Sequence, residues 1–351
     1  MTFSRILVRA TNWVGDAVMS LPAIREIRGA FPRAHLAVLA RPWVADLYRR
    51  ELAIDRVIPY TAASGPRDWT TKWRAARDLR RQRFDCAILL QNAFEAALVT
   101  WLARIPVRIG YDRDARGCLL TRAVPVPNRG EIPAHQRHYY FELLRRAGLI
   151  EGMPHVDSIR LEGIPDAVAA GRARLQAAGV ALPLIGVSPG AAYGNAKRWI
   201  PEHFAEAAAY LARTRGASVA LFGSTQERPL CETIAAMIPG TPVHVFAGTT
   251  SLGQFIEMAA ACELFLTNDS GAMHIASALA VPTVTIFGAT DDVATGPTGP
   301  LTRIVRQPVE CSPCLLRECP IPGHPCMTRV KPDRVAAVAL ELLASNQNLH
   351  Q

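Results

Sequence analysis

Short apolar runs recur along the chain, and amphipathic stretches separate them. The run Ile6-Leu7-Val8 predicts a buried strand over Arg5–Ala10. Asp16–Ala30 follows, with Val18, Leu21, Ile24 and Ile27 at helical spacing. The same alternation predicts strands at His35–Ala40, Arg56–Tyr60, Cys86–Leu90 and Val107–Gly110, and helices at Val44–Arg50 and Trp69–Arg83. The pattern then starts again. Strands are expected at Leu184–Ser188, Ser218–Phe222, Val243–Phe246, Leu264–Thr267 and Thr283–Phe287. Helices are expected at Pro201–Thr214, Gln226–Ile238, Ser251–Ala260 and Gly271–Ala280, with a closing helix at Pro332–Leu343.

Strands that alternate with helices imply parallel sheets covered on both faces. The fold class is α/β, with two doubly wound, Rossmann-like domains facing a central cleft. A length of 351 residues suits two domains with their own cores. The expected divisions are residues 1–175, residues 176–330 and a closing helix and tail over 331–351. In open parallel sheets, ligands bind beyond the carboxyl ends of the strands. The loops after those strands are therefore where chemistry is expected.

Composition narrows the class. Half of the residues are hydrophobic, as in an ordinary globular protein. No secretory signal is expected, because the chain enters an apolar strand at once. Gly271–Thr290 carries no Asp, Glu, Lys or Arg and has the length of a membrane span. His274, Ser277, Pro282, Thr283 and Thr285 within it favour a short helix and a buried strand instead. The net charge of +9 favours an acidic partner, whether nucleic acid, an anionic membrane surface or a phosphorylated substrate. A nucleic-acid reader would need exposed aromatics interleaved with Lys and Arg on one binding face; the arginines here sit on predicted helices and loops of enzyme-like halves, which disfavours it.

Three loops stand out. Ala10-Thr11-Asn12-Trp13-Val14-Gly15-Asp16 leaves the first strand. Asp16 is there either a helix cap or a general base. Ser188-Pro189-Gly190-Ala191-Ala192-Tyr193-Gly194-Asn195-Ala196-Lys197-Arg198 opens the second half. Its small residues let backbone N–H groups approach an anion, and Lys197 and Arg198 add charge. The alternative is a surface loop with a solvated basic pair. The third is Thr267-Asn268-Asp269-Ser270-Gly271-Ala272-Met273-His274, in which Asp269 and Ser270 start a helix whose free N–H groups favour an anion, and His274 lies one turn on. Capping alone is the other reading.

Arginines form two groups. Arg74, Arg77 and Arg81 share a helix with Trp69 and Trp73, as a solvated basic face or an anionic-lipid contact. Arg113, Arg116 and Arg122 follow a short strand and suit an acceptor phosphate. Asp112 and Asp114 imitate a metal-binding Asp-x-Asp pair, but the flanking arginines argue against metal. Cys311, Cys314, Cys319 and Cys326 are spaced as C-x₂-C-x₄-C-x₆-C, either a structural zinc site or a loop of reduced thiols.

In order and spacing, NWVGDAVMSLPAI, SPGAAYGNAKRW and TNDSGAMHIASALAVPTVTIFGATD resemble the lipopolysaccharide heptosyltransferases of glycosyltransferase family 9. The resemblance spans nearly the whole chain. It implies GT-B architecture and inverting, metal-independent transfer, with no cofactor required. The implied donor is ADP-heptose and the implied acceptor a phosphorylated lipid A-core, the heptose going to the first heptose of the inner core. The implied location is cytoplasmic, peripheral at the inner membrane.

By motif position, the resemblance makes Asp16 the base and sets Lys197 on the diphosphate. Ser188 and Gly190 line the phosphate loop. Asp269, Ser270, Gly271 and His274 bind heptose and phosphates, and Glu227 is placed at the ribose. With the acceptor on the first domain, Asn12, Trp13, Arg113 and Arg116 are its candidate contacts. Another GT-B nucleotide-sugar enzyme, with a different donor or acceptor, is the rival expectation.

Overall fold

Ile6, Leu7 and Val8 are fully buried because a strand stands on each side of them and helices cover both faces. The computed structural model describes residues 2–61 and 68–348. They form two compact units, Met1–Val156 and Asp157–Gln351.

The first unit runs β1 (Arg5–Arg9), α1 (Val14–Ala30), β2 (His35–Ala40), α2 (Pro42–Tyr48), β3 (Arg56–Pro59), α3 (Trp69–Arg81), β4 (Cys86–Leu89), α4 (Phe94–Leu102), β5 (Val107–Tyr111), β6 (Arg122–Val124) and α5 (Arg137–Arg146). Its sheet is parallel in the order β3-β2-β1-β4-β5-β6. Arg5 stands opposite His35 on one side of β1, and Ile6 opposite Cys86 on the other. The order reverses between β1 and β4. The loop after β1 therefore opens at the switch point, where doubly wound sheets hold ligands. Under α3 and α4, Leu7, Leu39 and Leu89 of the sheet meet Ala76, Leu79, Ala97 and Val99 in one core.

The second unit runs α6 (Ile164–Ala177), β7 (Leu184–Ser188), α7 (Pro201–Arg215), β8 (Ser218–Leu221), α8 (Arg228–Ala236), β9 (Val243–Val245), α9 (Leu252–Ala260), β10 (Leu264–Asn268), α10 (Gly271–Ala278), β11 (Thr283–Phe287), α11 (Asp292–Thr295), β12 (Thr302–Arg306), α12 (Pro325–Thr328) and α13 (Pro332–Asn348). Its parallel sheet has the order β12-β11-β10-β7-β8-β9. Counted from the first strand of each unit, the two topologies are the same. Ser188 pairs with Thr267, so the loops after β7 and β10 leave the sheet side by side.

The α6 helix belongs to this unit, although a boundary at residue 175 would divide it from its partners. It packs on α9, with Arg174 2.7 Å from Glu257. Gly171 is needed at that contact, since a Cβ there would lie 1.9 Å from the Glu257 carbonyl oxygen. Val335, Ala339 and Leu342 of α13 join Phe204, Leu211 and Ile286 in the second core. The uncharged stretch after Ser270 is a helix and a buried strand, as the sequence predicts. Among the described residues, no helix is long and apolar enough to cross a membrane.

Candidate active site

The first unit's candidate group surrounds the start of α1. The helix begins at Val14 after Trp13, so Asp16 is its third residue and not its N-cap. A carboxylate in the first turn is favoured by the helix dipole. Asp16 is half-buried, and the Tyr140 hydroxyl of α5 donates to its Oδ1 at 3.3 Å. Burial first, and then the nearby Asp16 carboxylate, hold the Tyr140 phenol well above its usual pKa, so it stays a proton donor. Asn12 accepts from Arg9 Nη2 at 3.2 Å, and its backbone oxygen accepts from Trp43 Nε1 at 2.8 Å. These bonds fix the loop while Trp13 stays more than half exposed.

Of the three arginines proposed for an acceptor phosphate, Arg113 and Arg116 separate. Arg113 is exposed, 3.6 Å from Asp114. Arg116 is fully buried and donates to the carbonyl oxygens of Tyr111 and Gln91 and to Asn92 Oδ1. Each of its three nitrogens donates inside the protein and the side chain is closed off from solvent, so Arg116 is a structural residue and not the phosphate contact expected of it.

In the second unit, the loops after β7, β10 and β11 converge. Lys197 Nζ lies 2.6 Å from Asp269 Oδ2, and Thr290 Oγ1 donates to the same oxygen at 2.6 Å. Asp269 is buried just ahead of α10, whose N-cap is Ser270. Ser270 Oγ shares a hydrogen bond with Thr267 Oγ1 at 3.1 Å and does not cap the helix N–H groups. Asn268 ties the loops together: its Nδ2 donates to Pro189 O at 2.7 Å, and its Oδ1 accepts from Trp199 N at 2.9 Å. His274 is buried one turn into α10.

Gly190 lies directly against the Glu227 carboxylate. A Cβ there would stand 1.9 Å from Glu227 Oε1. Glu227 closes a capping box, its Oε2 accepting from the N–H and hydroxyl of Ser224 at 2.8 and 2.9 Å. Ser188, Gly190 and Glu227 are thus gathered at the ends of adjacent strands β7 and β8.

The cysteine segment fastens two of these loops. Ala196 N donates to Arg317 O at 3.0 Å, the Tyr193 hydroxyl donates to Leu315 O at 3.0 Å, and His324 Nε2 lies 3.1 Å from Ala196 O. Leu315 N donates to Ala289 O at 2.7 Å, one residue before Thr290. Cys311, Cys314, Cys319 and Cys326 line one apolar cavity of about 40 Å³. Burial and then the other three sulfurs push the Cys326 thiol up to about 11. Among the described residues, no three His, Cys, Asp or Glu side chains are set as a metal-binding group.

The sequence does not single out Thr290 or Tyr140, and it includes Asn268 only as part of a loop, without a role. Thr290 and Asn268 stand at the carboxyl ends of strands, which is the one signal that points to them.

The fold is that of a GT-B glycosyltransferase, two Rossmann-like units with polar loops at their switch points. The chain belongs to glycosyltransferase family 9 (heptosyltransferase), whose family model matches residues 72–324. It is 33% identical over 309 residues to lipopolysaccharide heptosyltransferase 2 of Salmonella typhimurium, covering 86% of this chain and 88% of that one. Lipooligosaccharide heptosyltransferase 2 of Haemophilus ducreyi is 30% identical, with 97% and 99% covered. The structure of E. coli ADP-heptose LPS heptosyltransferase II superposes with a TM-score of 0.82 at 28% identity, over 98% of this chain and 99% of that one.

Proposed function

We propose that this glycosyltransferase moves heptose from ADP-heptose onto the first heptose of a phosphorylated lipid A-core, with inversion and without a metal ion. The observation that carries the reading is the group at the start of α10: an ammonium, a buried carboxylate and helix N–H groups that Ser270 does not cap, in one place. A helix N-terminus with an adjacent lysine suits a diphosphate that gains charge as it leaves. The likeness to an ADP-heptose-dependent enzyme of known structure supports that donor.

The chemistry is a single displacement. The acceptor oxygen bonds to the anomeric carbon, the bond from that carbon to the diphosphate oxygen breaks, and ADP leaves with the electron pair. Asp16 takes the hydroxyl proton. In this reading Lys197 and the N–H groups of Gly271 and its neighbours hold the diphosphate. Asp269, Ser270 and His274 face the sugar and phosphates, Glu227 the ribose, and Asn12, Trp13 and Arg113 the acceptor. The enzyme works in the cytoplasm at the inner-membrane surface, where a lipid-borne acceptor is presented.

A transfer assay tests this directly. ADP-heptose and a set of UDP-sugars are each paired with truncated inner-core acceptors. Product is expected from ADP-heptose and an acceptor ending in the first heptose. Transfer from a UDP-sugar alone would assign the chain to a different donor.

A further inference from the structure

Five of the six tryptophans lie in the first unit, and all five are exposed, whereas Trp199 of the second unit is buried. Three of them, with one phenylalanine, sit on two neighbouring helices. Trp69 and Trp73 of α3 and Phe94 and Trp101 of α4 are 51, 54, 45 and 47% exposed. The helices pack against each other over one core on the same side of the sheet. On α4, Phe94, Leu98 and Trp101 follow i, i+4, i+7 spacing, and all three retain solvent contact. This is an apolar stripe facing outward.

The surroundings of the stripe are basic. Arg74, Arg77, Arg80 and Arg81 of α3 are exposed, as are Arg83 just beyond it and Arg104 just beyond α4. On α3 the one exposed acid is Asp78, 3.6 Å from Arg81. Arg74, Arg77 and Arg80 make no ion pair among the described residues. Indole rings favour the boundary between water and hydrocarbon, and arginines near a bilayer are drawn to anionic headgroups. A patch that combines the two fits a lipid surface, because its charge is predominantly positive and its aromatic side chains project singly.

We infer that the α3–α4 face docks the enzyme on an anionic bilayer, with the indoles of Trp73 and Trp101 in the interface and the arginines against the headgroups. This deepens the reading of a lipid-borne acceptor and rests on it. A bound face keeps the enzyme where that acceptor is presented.

Vesicle sedimentation of the full chain tests the inference. The wild type is expected to bind phosphatidylethanolamine–phosphatidylglycerol vesicles, to release them in high salt, and to ignore pure phosphatidylcholine. Arg74→Glu/Arg77→Glu/Arg80→Glu should lower the partition coefficient by about 10²-fold. Trp73→Ala/Trp101→Ala should lower it by about tenfold. Arg74→Lys/Arg77→Lys/Arg80→Lys keeps the charge and should keep the binding, which separates loss of attraction from loss of fold. Melting temperature and transfer to a deacylated, water-soluble acceptor should stay at wild-type values in all three. Undiminished binding by the glutamate variant, or no binding by the wild type, overturns the inference. So does a dimer in sedimentation velocity that the same variants dissolve, which would make the face a contact between two copies. Failure of the wild type on the water-soluble acceptor would instead overturn the proposed reaction, whatever the vesicles show.

Discussion

The loops after β1 and β7 occupy the same place in two sheets of the same topology, yet they carry opposite charge. The first ends in Asp16, one turn into a helix and hydrogen-bonded by a buried tyrosine. The second carries Lys197, set against a buried carboxylate. Topology supplies a position at the switch point in both units, and the residues of each loop decide its chemistry. A carboxylate can accept a proton, and an ammonium can hold a leaving anion. In the proposed reaction, the duplicated scaffold divides the two demands of glycosyl transfer between its halves.

The comparison is broken most directly at Asp16. Asp16→Asn is expected to lower kcat by at least about 10²-fold, the loss of a general base, with little change in melting temperature or donor affinity. A transfer assay beside a thermal melt on the same sample measures both. Turnover within about threefold of wild type, roughly 0.7 kcal/mol, would leave Asp16 as a first-turn acid only. In the second unit, Lys197→Ala should reduce kcat/KM about 10–10²-fold by removing a charge that acts on the departing diphosphate. Unchanged kinetics would move the phosphate site elsewhere.

Smaller effects sharpen the contrast. Thr290→Val removes one of the two donors on Asp269 Oδ2 and should raise the donor KM by roughly fivefold, about one hydrogen bond. Thr290→Ser should restore it. Equal KM values for all three proteins would take Thr290 out of the donor site. In the proposed reaction a lysine and a helix N-terminus meet the leaving-group charge, so a chelator is expected to have no effect on turnover. Activity lost in EDTA and restored by Mg²⁺ or Mn²⁺ would contradict this. Elemental analysis of protein purified without chelator bears on the cysteines separately: a full equivalent of zinc or iron would make the four thiols a structural metal site.

The central strands were legible because they are buried on both faces and read as unbroken apolar runs, as in Leu184–Ser188 and Thr283–Phe287. The loops that follow them were legible for the same reason. Helix α4 was harder, since Phe94–Leu102 is apolar on its outer side as well as its inner one and shows no polar face. Strands β6 and β12 lie at sheet edges, where burial is incomplete and the apolar signal fades. Side-chain roles were less legible than elements. Arg116 looks like any surface arginine until the carbonyls of Tyr111 and Gln91 close around it. Lys197 and Asp269 are 72 residues apart, and only the pairing of β7 with β10 brings their loops together.

The ion pair at the head of α10 also bears on what the pocket refuses. The Lys197 ammonium pairs with Asp269, and Thr290 donates to the same carboxylate oxygen. A small anion that approaches must displace or face that carboxylate, and it gains a single cation in exchange. A nucleotide sugar brings contacts along its whole length and can afford the exchange. If this is the donor pocket, it selects for ligands that attach at many points, and inorganic phosphate is expected to inhibit poorly where ADP inhibits well.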